Sequence, residues 1–184
     1  METLLYCRAA SPVGPLFLAA STTGLVRLEF EARMQKLKWN TIQLREAEPA
    51  LAPYLRELEE YFVGARRQFS LPLDLRGTEF QLACWHALLE IPYGETRSYL
   101  EIARAIGRPL ACRAVGMANN RNPIAIVVPC HRVIASSGSL CGYGGGLDLK
   151  RRLLDMEQGN SILATGSSND PSNDRPCLPI RMGA

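Results

Sequence analysis

Nothing in this 184-residue chain reads as a membrane span, because no apolar run approaches the roughly 20 residues that crossing a bilayer requires. The opening residues, METLLYCRAA, lack a basic start followed by a long apolar stretch, so no secretory leader is read there. The expected compartment is the cytoplasm, or the nucleus if the source is eukaryotic. The 6 cysteines, Cys7, Cys84, Cys112, Cys130, Cys141 and Cys177, fall singly. They have neither the Cys-x-x-Cys spacing of a zinc site nor the density of a disulfide scaffold, and reduced thiols are expected, most of them in the core. The glycines of Gly142 to Gly146 come without the lysine and spacing of a P-loop and without a dinucleotide fingerprint. A triphosphate site of that kind is excluded.

What is present is a composition able to bury a core: 47% of the residues are hydrophobic, enough for one sizeable core or two modest ones. The net charge of +3 is small, but it is unevenly placed. Residues 1 to 80 carry ten basic and ten acidic side chains, whereas Arg97 to Arg152 holds nine Lys and Arg against Glu101 and Asp148 alone. Such a surplus suits a polyanionic partner, since neutralised phosphates release counterions. A solvated basic face would show the same count.

The first half reads as a scaffold. Thr3 to Cys7, Pro15 to Ala20 and Leu25 to Phe30 are strand-length apolar runs separated by SPVG and STTG, which predicts antiparallel strands. Residues 31 to 48 fit helix and strand equally. From Pro49, Leu51, Tyr54, Leu55, Leu58, Tyr61 and Phe62 recur at helical spacing up to Gly64, and this stripe is expected to be core packing. A linker is read at Arg76-Gly77. Beyond it, Thr78 with Gln81 and Ser98 with Glu101 are two capping boxes opening two helices. Pro109 suits the first position of a third, Leu110 to Asn119. The last pair, joined by a Gly-Arg-Pro turn, has the pattern of a helix-turn-helix, and equally of an ordinary helical corner. Small residues Ala111, Ala114, Gly116 and Ala118 would let a groove come close, with Arg113 as a long charged probe. A final helix is read from Asp148 to Gln158.

Chemistry concentrates in Asn122 to Val133, NPIAIVVPCHRV. The β-branched run Ile124 to Val128 predicts a strand, which delivers Pro129, then Cys130 with His131 and Arg132 behind it. An imidazole and a guanidinium so close would favour a thiolate. The residues alone fit a nucleophile or a buried strand-end cysteine. Glu157 is the carboxylate available to orient His131, or else an exposed helix-terminal glutamate. Tyr143, in the glycine loop, is available to pack on a flat ligand.

The series GTEFQLACWHAL, IPYGETRSY, IGRP, CRAVGMANNRNPI, IVVPCHRV, GYGGGL and LLDME, in this order over Gly77 to Glu157, resembles the methylated-DNA:protein-cysteine methyltransferases, which remove alkyl groups from O6-alkylguanine. SPVGPLFLAAS is similar to that family's less distinctive first domain. The resemblance implies that Cys130 accepts the alkyl group irreversibly, so that each molecule acts once. It implies that His131, through a bound water, takes the thiol proton while Glu157 fixes its tautomer, and that Tyr99 donates a hydrogen bond to the guanine ring. Asn122 would be the hinge between the helix-turn-helix and the active-site segment. Arg113 would fill the space of a flipped nucleotide, with Ala114, Gly116, Ala118 and Tyr99 also against DNA in the minor groove. Pro129, Val133, Tyr143 and Gly144 would line the pocket. No cofactor is implied, and no metal: some relatives carry zinc in the first domain, but here that half has Cys7 as its sole cysteine and no histidine.

The resulting expectation is an α/β (α+β) protein. A mixed strand-helix unit spans 1–76, a mostly helical, winged helix-turn-helix-like unit spans 77–159, and a tail spans 160–184, rich in Ser, Asn and Pro and expected to be disordered. It would act as a monomer on double-stranded DNA containing O6-alkylguanine, with no membrane partner. Cys112 and Cys141 stand where the family pattern has smaller or polar residues. A cysteine hydrolase would use the same Cys130, His131 and Glu157 but would need an oxyanion hole. A non-catalytic lesion sensor would not need Cys130.

Overall fold

The computed structural model describes residues 2–34 and 41–159. The expected tail at 160–184 lies outside the described residues, as does Cys177. In the N-terminal half, strands β1 (Glu2–Ala9), β2 (Leu16–Ala20), β3 (Leu25–Phe30) and β4 (Ile42–Glu46) form one sheet in the order β3-β2-β1-β4. The three predicted strands are present and antiparallel, with Cys7 opposite Leu18 and Leu18 opposite Leu28. The stretch that fitted both states resolves into a short helix, α1 (Glu31–Met34), and β4, which pairs parallel to β1.

Alternation along the strands sends Cys7, Leu16, Leu18, Leu28 and Phe30 to one face, where Leu51, Leu58 and Tyr61 of α2 (Glu48–Phe62) cover them. Leu4, Phe17, Ala19 and Val26 form a second cluster on the other face. Helix α2 ends as predicted at Gly64, whose φ of 75° suits glycine; Gly64 N–H donates to the Tyr61 carbonyl and Ala65 N–H to that of Glu60.

The C-terminal half contains α3 (Glu79–Leu89), a two-residue strand β5 (Arg97–Ser98), α4 (Tyr99–Ala105), α5 (Cys112–Asn120), a single 3-10 turn at Cys130–Arg132, β6 (Val133–Ile134) and α6 (Leu147–Glu157). Both capping boxes form: the Thr78 hydroxyl accepts from Gln81 N–H and Ser98 from Glu101 N–H, with the reciprocal bonds present. Helix α5 starts two residues later than expected. Ala111 N–H donates to the Arg108 carbonyl at 2.8 Å, so Pro109 takes the second position of a tight turn, a place its fixed φ also suits. Gly107, at φ 69°, reverses the chain after α4. Trp85 of α3 anchors α5 by donating its indole N–H to the Ala118 carbonyl at 3.0 Å.

The outer edge of β3 joins the halves at Leu28, which exchanges backbone hydrogen bonds with Pro123 and Ala125, while Leu25 on the same edge does so with Pro72 and Asp74 of its own half. One continuous core therefore runs from Cys7 and Leu18 to Ile124, Val128 and Cys130. Among the described residues no helix is long and apolar enough to cross a membrane.

The expected strand at Ile124–Val128 does not form. A backbone bridge to Leu28 occurs at Ile124, after which the chain turns: Val127 N–H donates to the Ala125 carbonyl around Ile126, which adopts a φ of 70°. For a β-branched residue this conformation costs about 1–3 kcal/mol. It persists because every residue from Asn122 to Val133 is buried and the interior contacts override local preference.

Leu28 is fully buried at this junction, and Leu28→Ala is expected to cost about 2–5 kcal/mol. Because the core is shared, unfolding in urea should stay a single transition, coincident by tryptophan fluorescence and circular dichroism. Two separated transitions would show that the halves unfold independently.

Candidate active site

Cys130 opens the 3-10 turn, and its side chain is almost fully buried. Its partner is Asn122, whose Nδ2 donates to Sγ at 3.1 Å and to the Val128 carbonyl at 2.7 Å, while Oδ1 accepts from Ile124 N–H at 3.0 Å. One amide thus shapes the irregular segment and meets the sulfur. Burial pushes the thiol pKa up; the Asn122 bond, Lys150 and Arg33 act against it, and Glu29 adds to it. The expected effect of Arg132 on the thiol is not what the fold delivers. The Arg132 guanidinium turns to Glu157, at 2.8 and 2.9 Å, and to the Ile91 carbonyl at 2.6 Å. Cys130 is therefore a protonated thiol at neutral pH that requires a base.

His131 is fully buried, and its Nε2 lies 2.8 Å from Glu157 Oε1. With Glu157 ionised, Nε2 carries the proton and Nδ1 keeps its lone pair. Nδ1 is buried and has no hydrogen-bond partner among the described residues. Burial lowers the imidazole pKa more strongly than Glu157 raises it, so the ring is neutral.

Glu157 is a buried carboxylate at the end of α6, not an exposed one. Besides His131 and Arg132 it accepts from the Tyr61 hydroxyl at 2.6 Å and Gly94 N–H at 3.2 Å. Burial alone would raise its pKa, but the hydrogen bonds from His131 and Arg132 outweigh that and hold it well below the usual carboxylate range.

The glycine loop closes the other side. Tyr143 presents its ring edge-on to Phe30, its hydroxyl is buried without a hydrogen-bond partner among the described residues, and burial raises its pKa well above the ordinary value. Lys150 of α6 is fully buried and donates to the carbonyls of Val133 at 2.5 Å and Cys141 at 2.9 Å, which ties β6 and the residue before the glycine loop to α6. The Tyr99 hydroxyl reaches the same Cys141 carbonyl at 3.3 Å. Val133 is buried under this cluster, Pro129 precedes the nucleophile, and Gly144 lies in the loop.

On α5, Arg113 and Ala114 are exposed and Gly116 is half-buried against the ring of Tyr99. Ala118 is buried beside Trp85, so it is not exposed as expected: its i+4 spacing puts it on the same stripe as Ala114, but α3 covers that end of the helix. Cys112 and Cys141 are both partly exposed. Sequence reasoning missed the polar role of Tyr61, which it placed in a core stripe, and missed Lys150 and Glu29 altogether. No local spacing marks these residues. Among the described residues no group of three or more His, Cys, Asp or Glu side chains gathers to hold a metal.

Fold and site together define a helix-turn-helix protein with a buried cysteine next to a His-Glu pair. Residues 79–159 match the 6-O-methylguanine DNA methyltransferase DNA binding domain, and residues 4–75 match the ribonuclease-like domain of the same proteins. A methylated-DNA–protein-cysteine methyltransferase of Mycobacterium leprae is 50% identical over 156 residues, covering 84% of this chain and 93% of the relative. Its counterpart from Methanosarcina barkeri is 51% identical, covering 82% and 94%. The crystal structure of Mycobacterium tuberculosis OGT in complex with DNA superposes with a TM-score of 0.77 at 46% identity, covering 85% of this chain and 94% of that one. The chain belongs to the 6-O-methylguanine DNA methyltransferase family.

The Glu157 and Arg132 side chains are at most 7% exposed, and Glu157→Ala, which strands the guanidinium, is expected to cost about 3–5 kcal/mol. The carboxyl pKa is depressed in the folded state, so the stability it confers is full above the ordinary value of 4.5 and is lost as pH falls toward the folded value. The urea midpoint of the wild type should therefore drop between about pH 5 and about pH 3, and Glu157→Gln should flatten that drop.

Proposed function

We propose that this chain repairs duplex DNA by transferring the alkyl group of O6-alkylguanine to its own Cys130. The observation that carries the reading is the buried set of Asn122, Cys130, His131 and Glu157, in which the sulfur has a donor and the imidazole has a free lone pair. The thiol proton passes through a water to Nδ1 of His131, whose Nε2–H remains on Glu157. Sγ attacks the alkyl carbon, a sulfur–carbon bond forms, and the carbon–O6 bond breaks with its electron pair leaving on guanine. The Asn122 amide supports the negative sulfur before attack. Tyr99, released from the Cys141 carbonyl, donates its hydroxyl proton in a hydrogen bond to the guanine ring and improves it as a leaving group. Nothing hydrolyses the thioether, so each molecule reacts once.

The substrate base must leave the stack to reach a buried sulfur, at a cost of a few kcal/mol. Arg113, exposed near the start of α5, fills the vacated space, with Ala114 and Gly116 letting the helix lie in the minor groove, where little sequence is read. Pro129, Val133, Tyr143 and Gly144 line the base pocket. We divide the chain into a scaffold unit at 1–76 and a DNA-binding, alkyl-accepting unit at 77–159, and take the monomer as the acting species. The reaction needs no cofactor. Its substrate places the protein in the cytoplasm, or in the nucleus of a eukaryote.

Mixed with duplex DNA containing O6-methylguanine, the protein is expected to gain the mass of one methylene at Cys130, stoichiometrically, and Cys130→Ala to gain none. Tight lesion binding without mass gain would indicate a sensor instead. Because burial lowers the His131 pKa below the ordinary 6.5, the base stays neutral as pH falls through that value. The single-turnover rate should fall on the acid side only below 6.5. An acid limb centred at or above that pH would remove His131 from the proton path.

A further inference from the structure

The glycine loop is held from the N-terminal half of the molecule. The ring of Phe30, at the end of β3, fills the space over Gly145, where a Cβ would meet it at 3.1 Å. Arg33, in α1, lies directly on Gly144: a Cβ there would overlap its Nη1. The same guanidinium has two anchors. Nη1 pairs with Glu29 Oε1 at 3.4 Å, and Nη2 donates to the Asn120 carbonyl at 3.3 Å, at the negative end of α5. Glu29 is itself fixed, buried and accepting from Phe30 N–H at 3.1 Å. Cys130 and Tyr143 both lie within the field of Arg33 and Glu29. One side chain thus bridges the sheet, the carbonyl end of the candidate DNA helix and the loop over the nucleophile.

We infer that Arg33 is a latch: held by Glu29 and Asn120, its guanidinium closes the Gly142–Gly146 loop over Cys130, and a base entering the pocket must displace it. Glycine at position 144 is required because any side chain there would take the latch's seat. Arg33 acts as a positioning residue, setting access to the sulfur and taking no part in bond making.

The inference rests on Cys130 being the acceptor thiol, and transfer from duplex DNA by the wild type, measured alongside, tests that separately. The probes for the latch are iodoacetamide and free O6-methylguanine base, followed by peptide mass analysis, with buried Cys84 as an internal monitor of general loosening. Losing about one hydrogen bond's worth of closure, Arg33→Ala should label at Cys130 about fivefold faster with both probes, with Cys84 unchanged. Arg33→Lys, which keeps the charge but not the fork, should fall between. Unchanged or slower labelling at Cys130, or an equal rise at Cys84, overturns the latch. If Arg33→Ala fails to fold, Gly144→Ala, whose methyl group displaces the guanidinium, must give the faster Cys130 labelling instead.

Discussion

The structure depends on a single buried carboxylate. Glu157 sits where an unpaired charge would be costly, and it is tolerated because Tyr61 of α2, the Gly94 amide, His131 and Arg132 all donate to it. Three segments of chain, one of them in the N-terminal half, are thereby tied to the end of α6. A buried ion pair is weak evidence of net stability, since a well-packed apolar replacement is often as stable. What the arrangement supplies is orientation: the ionised Glu157 keeps the Nε2–H tautomer of His131, leaves Nδ1 free, and points Arg132 away from the sulfur. The cysteine is then tuned by desolvation, by the Asn122 amide and by Lys150, Arg33 and Glu29, not by the neighbouring Arg132.

The backbone around the nucleophile follows from the same economy of polar groups. A strand through Ile124–Val128 would need ladder partners on a buried segment. Asn122 instead satisfies the Ile124 amide and the Val128 carbonyl with one side chain and still reaches Cys130. The unfavourable φ of Ile126 is the local cost of this turn. Lys150 does for the glycine loop what Asn122 does for the nucleophile segment, binding two carbonyls from a fully buried position. The segments around Cys130 are therefore set by buried polar side chains, and Phe30 from β3 and Arg33 from α1 reach across to the glycine loop.

Much of the frame was legible in the chain. Thr78 with Gln81 and Ser98 with Glu101 located two helix starts, Gly64 and Gly107 two reversals, and alternating apolar residues three strands. Cys130, His131 and Glu157 were singled out through motif order and family resemblance, and the fold pairs His131 with Glu157 beside Cys130. The pattern at Pro109 was misread by two residues because proline suits a turn's second position as well as a helix's first. Ala118 shares the stripe of the exposed Ala114, and only the packing of Trp85 against that end of α5 buries it.

The sequence by itself determined those features whose causes lie within about four residues: caps, turns and amphipathic faces. The tertiary structure alone decided which polar groups meet in the interior. Tyr61 and Glu157 are 96 positions apart, and Arg33 and Asn120 are 87 apart. Burial is a property of the packed whole, and only there do desolvation and long-range hydrogen bonds turn a conventional core tyrosine, a surface-like lysine and a helix-terminal glutamate into parts of one site.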